Sequence, residues 1–497
     1  MTIAIGSDPT TLKSSDGYYD MPKVFSALIK SDENFTPIPD LAESWDIDKE
    51  NKTITFQIRK DVKWHDGKPF TGHDVKYTFD AIRDENNSRV FSSGTSDLKI
   101  INSVEMTDPD TVVFSFNDMP VSTLTYLAIP IFPKHLLQNQ DLDTTGYWLK
   151  PIGTGPYIFD HWNTRQELVF RVNKGYYGHI PEIDILRFVF IPEESTRIAM
   201  LTSGDVQATK ISPKMERIIN ISGYKSYRQP SACWYGLSMP TQKWPFNITH
   251  VRRAIAYAAN KQAMIDTLFN GMGEVAYGPY TSKDRVYNPE VAFYYDPGYA
   301  KQLLEEGGFE FRDSQWVQKT DGMVLEFDIY YVASAPERKK IAIILATDLN
   351  DIGIKANLVP MTSWADFDVN IARNQSNILS WGSPNDPDIP NYQLFSSKFI
   401  GDGWWNTFSY NNPEVDTLLE KGRYEWDPEK RREYYLAAQK IIANDQPVAF
   451  MVFVDSVYLI DDKINGIKPK KSPHASGSNG GMLNEIWWNF EEWTYRS

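Results

Sequence analysis

Apolar and polar residues alternate along two short stretches in the first quarter of the chain. Residues 53–59 and 111–116 place an apolar side chain at every second position, which is the pattern of a strand with one buried face. Residues 74–82 instead repeat apolar side chains at helical spacing, with Thr71 as the N-cap and Asp74 three residues later. The pattern therefore predicts two half-buried strands separated by a capped helix.

The second half of the chain alternates longer helical patterns with apolar runs of strand length. We predict helices over residues 251–269, 297–306, 337–350 and 428–444. We predict strands over residues 325–332, 355–360 and 448–460. Pro428 in the first turn of the last helix and Gly307-Gly308 after the second are boundary residues of the expected kind. Helices interleaved with strands in this way indicate an α/β fold with mixed sheets.

Composition and charge narrow the classes of partner and compartment. The 497-residue chain has a formal net charge of −14, which argues against a nucleic acid or an anionic membrane surface as its partner. Cys233 is the single cysteine, so no intramolecular disulfide forms. The sequence contains no apolar run of transmembrane length and no secretory leader. We expect a mature extracytoplasmic protein, periplasmic or on the cell surface, whose signal or lipid-anchor segment is absent from this chain.

Sequence motifs of catalysis and cofactor binding are missing. The chain has no Gly-x-Ser-x-Gly elbow, no phosphate-binding Gly-Lys-Ser/Thr loop and no His-Glu-x-x-His pair, and its 7 histidines are scattered. We therefore expect no catalytic residue, no metal and no cofactor. The 65 Asp and Glu residues leave a hydrolase with a carboxylate pair open as a distant alternative.

A series of motifs follows a fixed order along nearly the whole chain. They are Leu41-Ala-Glu-Ser-Trp45 with residues 55–75, Pro151-Ile-Gly-Thr-Gly-Pro-Tyr157, residues 173–177, residues 251–258, residues 295–304, and Trp381 with Asp386-Pro387-Asp388. In this order the motifs resemble the family-5 extracellular solute-binding proteins of ABC importers. That family includes dipeptide-, oligopeptide-, nickel- and oligosaccharide-binding proteins.

The resemblance implies a two-lobed, periplasmic-binding-protein-like α/β fold (class II, cluster C type) with an extra small α/β domain inserted in lobe I. Lobe I would comprise residues 1–40, 152–235 and 462–497, the inserted domain residues 41–151, and lobe II residues 236–461. Such a protein is expected to be a monomer that captures a small solute by lobe closure, without chemistry, and delivers it to an importer permease.

The resemblance also directs attention to segments that line the ligand cleft, and the chain is rich in aromatic residues there. Aromatic rings suit both cores and binding surfaces, so core packing is the rival interpretation for Trp234, Tyr235 and Trp364. The candidate ligand residues are Tyr18, Tyr19, Trp234, Tyr235, Trp364, Trp381, Asp386, Asp388, Trp404 and Trp405.

One departure from the family bears on the ligand. Peptide binders of the family carry Trp-x-x-Asp at the position of Trp381, and that Asp pairs with the α-ammonium of the peptide. Here Pro384 stands three residues after Trp381 and has no charge to offer. Asp386 is the nearest substitute, although Asp386-Pro387-Asp388 is also typical of a turn with a capping role. We expect an oligopeptide- or dipeptide-class ligand, with an uncharged oligosaccharide as the alternative.

Overall fold

The computed structural model describes residues 1–9, 12, 23–84, 87, 98–142, 144–216, 218–219, 221–382, 386–472 and 486–496. The chain forms two compact units. The first comprises Met1–Gln229, Ser456–Lys471 and Asn479–Ser497, and the second comprises Pro230–Asp455 with Ser472–Ser478. These boundaries lie a few residues before the predicted lobe boundaries after 235 and 461, and the predicted division into two lobes and an inserted domain stays a prediction.

Both units contain strands and helices. The strands are β1 (Thr2–Ile5), β2 (Ile29–Ser31), β3 (Pro37–Pro39), β4 (Ala42–Asp48), β5 (Thr53–Ile58), β6 (Ile101–Asp108), β7 (Thr111–Phe116), β8 (Tyr157–Asn163), β9 (Glu167–Val172), β10 (Ile185–Phe190), β11 (Ala208–Ile211), β12 (Tyr224–Gln229), β13 (Cys233–Ser238), β14 (Gly273–Val275), β15 (Phe309–Arg312), β16 (Gln315–Gln318), β17 (Glu326–Val332), β18 (Lys355–Met361), β19 (Ile378–Gly382), β20 (Val448–Val454), β21 (Ser456–Asp461), β22 (Ile464–Asn465) and β23 (Thr494–Tyr495). The α-helices are α1 (Gly72–Arg83), α2 (Thr123–Tyr126), α3 (Lys134–Leu137), α4 (Glu194–Ser203), α5 (Pro213–Glu216), α6 (Thr249–Ala258), α7 (Lys261–Leu268), α8 (Pro297–Glu306), α9 (Pro336–Asp351), α10 (Trp364–Ala372), α11 (Asn391–Phe395), α12 (Pro413–Tyr424) and α13 (Pro428–Asp445). Single 3-10 turns lie at Gly146–Leu149, Pro289–Val291 and Ser397–Phe399, and a longer 3-10 segment at Ile486–Glu492.

The largest sheet of the first unit is built from both ends of the chain. Within the described residues it has seven strands, in the order β12-β21-β11-β1-β10-β9-β8. β1 pairs in parallel with β10 and β11, whereas the other neighbours pair antiparallel. The sheet is therefore mixed, as the sequence predicts.

A smaller antiparallel sheet of the first unit follows the order β4-β5-β7-β6. In β5 the alternating pattern buries Ile54, Phe56 and Ile58. Helix α1 packs on β6 and β7. The Thr71 backbone N–H donates to the Asp74 carboxylate at 3.0 Å, which is one half of the predicted N-terminal capping arrangement. The two predicted strands and the capped helix are confirmed.

The motif at Gly153 and Gly155 is explained by close backbone contact. A Cβ atom on Gly153 would lie 1.8 Å from the Val24 carbonyl oxygen, and one on Gly155 would lie 1.9 Å from that of Lys23. His65 contacts both glycines. Its Nδ1 accepts from the Gly153 N–H at 3.2 Å, and its Nε2 lies 3.0 Å from the Gly155 carbonyl oxygen. The family motifs in this region therefore have a structural role.

The second unit contains a sheet in the order β14-β20-β13-β19 and a parallel pair, β17 and β18. Helix α9 packs on both strands of the pair. It buries Ile341, Leu345 and Leu349 on one face, which is the helical spacing that the sequence predicts for this segment.

Two elements are wrong in the sequence-based prediction, because each is divided in the structure. Residues 448–460 form β20 and β21, which separate at Asp455 and belong to different units. Residues 251–269 form α6 and α7, and Asn260 starts the second helix by accepting from the Ala263 N–H at 3.0 Å. Apolar patterns continue through both breaks, so periodicity alone did not mark them.

Candidate functional site

Three predicted ligand residues, Trp381, Trp404 and Trp405, lie together in the second unit. Trp381 is on β19, and the other two follow the loop at Gly401 and Gly403. The Trp381 and Trp405 rings stack, with centroids 5.0 Å apart and an interplanar angle of 29°. Trp404 meets Trp381 edge-on, with centroids 6.4 Å apart. The structure thus brings together residues more than one element apart in sequence.

Trp364 joins the same group through Phe367. Trp364 is the first residue of α10, which Ser363 caps by accepting from the Asp366 N–H at 3.1 Å. Phe367 is buried, and its ring centroid lies 5.6 Å from that of Trp364 and 5.3 Å from that of Trp404. Trp364 and Trp404 each remain 37% exposed. We call Trp364, Phe367, Trp381, Trp404 and Trp405 the tryptophan cluster.

A buried arginine supports the tryptophan cluster. The guanidinium carbon of Arg338 lies 4.9 Å from the ring centroids of both Trp364 and Phe367. Arg338 also donates to the Ile378 carbonyl at 3.0 Å and to the Ser380 hydroxyl at 3.1 Å. Burial lowers the pKa of this guanidinium, but arginine stays charged at any physiological pH. Arg338 therefore ties α9, α10 and β19 together beneath the aromatic rings.

Asp386 is engaged by an arginine of α13. Arg431 donates to both carboxylate oxygens of Asp386, at 2.6 and 2.9 Å. Both side chains are 12% exposed. The carboxylate also accepts from the Asp388 N–H at 2.8 Å, which agrees with the turn and capping interpretation of this segment. A paired, largely buried carboxylate is not available as an unopposed anchor for a ligand cation.

Asp388 is buried and paired with a second arginine. Arg423 donates to its Oδ2 at 2.9 Å, and the Asp388 side chain is 1% exposed. Between the two acids, the Pro387 carbonyl accepts from the Tyr280 hydroxyl at 2.8 Å and from the Asn391 side-chain amide at 3.0 Å. These contacts fix the segment from Asp386 to Asp388 against α11, α12 and α13.

Trp234 and Tyr235 are buried, and Trp234 on β13 is the cross-strand partner of Trp381 on β19. Trp234 is buried at 1% exposure and packs edge-on against Phe450, 4.9 Å away. Tyr235 is buried among the core side chains of the second unit. Their packing matches the core alternative that the sequence left open, and their role as ligand residues stays a prediction. Tyr18 and Tyr19 lie outside the described residues.

The sequence-based prediction missed Phe367 and the three arginines. Phe367 had a local signal, since it follows Trp364 by three residues in a capped helix and so shares its face. Arg338, Arg423 and Arg431 had none, because each meets its partners in another element. Only the fold identifies which arginine neutralises which acid.

A cleft of about 700 Å³ lies beside α1 in the first unit. Tyr77, Leu137 and Leu142 contribute to its lining, together with acids and lysines. Of the predicted ligand residues that the structure describes, none lines this cleft. Lys76 in its wall already pairs with Asp80 at 3.1 Å.

The described part of the chain offers neither a metal site nor a membrane-spanning helix. Within it, no group of three or more His, Cys, Asp or Glu side chains is placed to hold a metal ion. None of its helices has the length and apolar character needed to cross a bilayer.

Comparison with known proteins covers nearly the whole chain. The family described as "Bacterial extracellular solute-binding proteins, family 5 Middle" matches residues 36–403. The chain is 29% identical over 471 residues to Protein XP55 of Streptomyces lividans, covering 94% of this chain and 86% of that protein. It is 28% identical over 451 residues to the dipeptide-binding protein of Escherichia coli (strain K12), covering 85% and 81%. NikZ from Campylobacter jejuni, solved in complex with Ni(L-His), is 29% identical with a TM-score of 0.82 and 99% coverage of each chain.

These likenesses define the class as the solute-binding proteins of ABC importers, and they confirm the predicted two-lobed α/β fold. The chain belongs to the bacterial extracellular solute-binding proteins of family 5. Two relatives are named as binding proteins, the heme-binding protein A of Haemophilus influenzae and the dipeptide-binding protein of Escherichia coli.

Proposed function

We propose that this protein captures a ligand of the oligopeptide or dipeptide class outside the cytoplasm and delivers it to the permease of an ABC importer. The observation that carries the proposal is the family match over residues 36–403. It is supported by the relative in Escherichia coli, which is named a dipeptide-binding protein and is 28% identical to this chain. The protein would work as a monomer in the periplasm or on the cell surface, where a lipid anchor in the precursor would hold it.

The proposed mechanism is closure of two lobes on the ligand without a chemical step. Lobe I (residues 1–40, 152–235 and 462–497), the inserted domain (41–151) and lobe II (236–461) are the moving parts in this proposal. A ligand shifts the open–closed equilibrium only by its differential affinity for the closed form. The permease would then recognise that form. Such a mechanism needs no catalytic residue and no cofactor.

The tryptophan cluster is the part of the ligand site that we propose within the second unit. Trp364 and Trp404 are each 37% exposed, and large aromatic rings supply much contact area at little entropic cost. The same exposed rings favour a second candidate function, oligosaccharide binding, because the C–H faces of sugars also stack on indole rings.

Thermal denaturation with three groups of small molecules tests the proposal. The probes are dipeptides and tripeptides, cello- and xylo-oligosaccharides, and Ni(L-His). A ligand at a hundred times its Kd adds about 2.7 kcal/mol of stability, so we expect peptides alone to raise the Tm clearly. Free amino acids serve as the control.

Other outcomes have defined meanings. A Tm shift with the sugars alone would replace the peptide proposal by the oligosaccharide one. No shift with any probe would contradict both ligand classes. Consumption of a peptide or a sugar during incubation would contradict the non-enzymatic mechanism.

A further inference from the structure

A small polar cavity lies within the first unit, whereas the tryptophan cluster belongs to the second. Its volume is about 140 Å³. Six charged or aromatic residues contribute to its lining: Lys30, Asp40, Arg59, Tyr176, Tyr177 and Glu491. A cavity of about 150 Å³ in another protein holds one benzene molecule. The cavity therefore has room for a ligand of about six non-hydrogen atoms.

The buried end of this cavity has an open acceptor on Glu491. The Glu491 side chain is 9% exposed, and its Oε1 accepts from the Lys23 ammonium at 2.9 Å. Its Oε2 is buried and has no hydrogen-bond partner among the described residues. The Lys30 ammonium lies 3.9 Å from Oε1, which is too far for a hydrogen bond. Because a buried carboxylate oxygen without a donor is costly, Oε2 is suited to a donor group of a ligand.

A second acid and two aromatic rings favour a cationic donor at this end. Asp40 is 7% exposed, and it accepts from the Tyr177 hydroxyl at 2.5 Å and from the Ala27 N–H at 3.1 Å. It thus adds negative charge while its own oxygens are engaged. The rings of Tyr176 and Tyr177, with centroids 4.5 Å apart, form part of the wall. An ammonium group suits both carboxylates and aromatic faces.

The cations of the cavity are more exposed than its acids. The side chains of Lys30 and Arg59 are 40% and 30% exposed. The Arg59 Nε donates to the Asp40 carbonyl at 2.7 Å, whereas its Nη1 lies 3.9 Å from a Glu43 carboxylate oxygen, beyond hydrogen-bond distance. The guanidinium therefore has N–H groups to offer. Guanidinium and ammonium groups are the donors that bind carboxylates most strongly.

We propose that this cavity is a second ligand site, which binds a small free amino acid such as glycine or alanine. The ammonium of the amino acid would donate to the Glu491 Oε2, and its carboxylate would face Lys30 and Arg59. A zwitterion matches both the acids at the buried end and the cations at the exposed end, whereas a ligand with one charge matches only one of them. This site is separate from the proposed peptide site and does not depend on it.

The first test uses the unchanged protein and ligands that differ in charge or size. Equilibrium dialysis of radiolabelled glycine against the full chain measures the Kd, which we expect to be about 1 mM for so small a ligand. Acetate, methylamine and glycinamide each lack one of the two charges. They should compete at least about tenfold more weakly than alanine, since each loses a charged hydrogen bond. Leucine should not compete, because it is too large. At the lower concentrations of a peptide titration the site stays unoccupied, so free amino acids remain valid controls there.

The second test changes the two ends of the cavity. Glu491→Gln and Lys30→Gln should each weaken glycine binding by about tenfold or more. The exposed Lys30 keeps the test decisive if Glu491→Gln unfolds through loss of the Lys23 pair. Lys60→Gln is the matched control, because Lys60 is 77% exposed and lies 3.2 Å from Asp110; it should leave the Kd unchanged. Circular dichroism and the Tm of each variant verify that it is folded.

Several outcomes would overturn the inference. Unchanged glycine binding in both folded variants would place the bound glycine elsewhere. Competition by acetate as strong as by alanine would show that the site recognises only a carboxylate. Loss of glycine binding in Trp404→Ala, with binding retained in Glu491→Gln, would assign glycine to the proposed peptide site. No glycine binding would remove the amino-acid site and leave the peptide proposal intact. Glycine binding without any Tm shift by peptides would support this site and contradict the proposed function.

Discussion

At the scale of single residues, Lys261 carries its amine into an aromatic pocket of the second unit. The residue is 5% exposed, and its Nζ lies 4.2 Å from the Phe293 ring centroid and 5.3 Å from that of Tyr277. Burial lowers the pKa of the amine from 10.5 to about 7. The rings offset part of the desolvation cost of burying a cation. The remaining cost lowers the stability of the folded state whenever the amine is protonated.

This lysine makes stability depend on pH. Because the folded pKa lies below the unfolded one, the unfolded chain holds more protons between pH 7 and 10.5, so stability rises with pH across that window. We predict that Lys261→Met raises the free energy of unfolding at pH 6 by about 1–3 kcal/mol and flattens the rise. Urea denaturation from pH 6 to 10 measures both effects.

The control is Lys301→Met, which changes an exposed lysine of α8 and should alter neither quantity. If Lys261→Met is less stable than the parent protein at pH 6, the contacts with the rings outweigh the desolvation of the amine.

His65 gives a second pH dependence, in the acid range. Burial lowers the pKa of its imidazole from 6.5 to about 4, and the neutral ring fits the contacts with Gly153 and Gly155. Stability is full above pH 6.5 and is lost as pH falls from 6.5 through about 4, because the unfolded chain binds the proton first. His65→Asn should cost about 1–2 kcal/mol at pH 7 and weaken the acid dependence.

Unfolding titrations at pH 7, 6, 5 and 4 test this prediction. His73→Asn changes an exposed histidine of α1 and is the matched control. An unchanged acid slope in His65→Asn would assign the loss of stability to other groups.

At the scale of elements, the sequence predicted the strands and helices that bury one face, because such elements have a regular spacing of apolar residues. β5 and α1 are examples, since alternation and an N-cap are local signals. The division of residues 448–460 at Asp455 was not predictable in the same way. β20 and β21 are both almost fully buried, so the apolar pattern continues although the chain passes to another sheet.

The pair of Asp386 and Arg431 fixes the segment after β19 to helix α13. Removing one partner leaves a buried charge, so Asp386→Asn and Arg431→Met should each destabilise the protein by about 3–5 kcal/mol. The double variant should cost clearly less than the sum of the two. A double-mutant cycle measured by urea denaturation gives the coupling free energy.

Lys440 and Glu290 provide a matched exposed pair. The Lys440 Nζ lies 3.0 Å from a Glu290 carboxylate oxygen, and the two side chains are 61% and 68% exposed. Their coupling should be below about 1 kcal/mol. A coupling near zero for Asp386 and Arg431 would mean that the segment is held by its other contacts.

At the scale of the whole molecule, the longest family motif and the candidate ligand surface lie in different units. The segment from Leu41 to Val75 builds β4, β5 and the start of α1 in the first unit. The tryptophan cluster lies in the second. The resemblance therefore identified the family and the fold but left the ligand open.

The candidate site was predictable in part. Trp364, Trp381, Trp404 and Trp405 were predicted as ligand residues from their type and from the family resemblance, and the structure groups their rings. Their supporting arginines were not, since a buried ion pair depends on contacts between elements that are distant in sequence. For the same reason, the sequence could not show that Asp386 is already paired.

The order of strands in the seven-stranded sheet has a consequence for biosynthesis. β21 lies between β11 and β12, yet a ribosome delivers it long after both. The second unit is mostly one continuous stretch, Pro230–Asp455, and is synthesised before β21 begins. Since domains generally fold as units during synthesis, we expect the second unit to mature first. In the nascent first unit, β11 and β12 then lack their shared neighbour β21 until the last part of the chain is made.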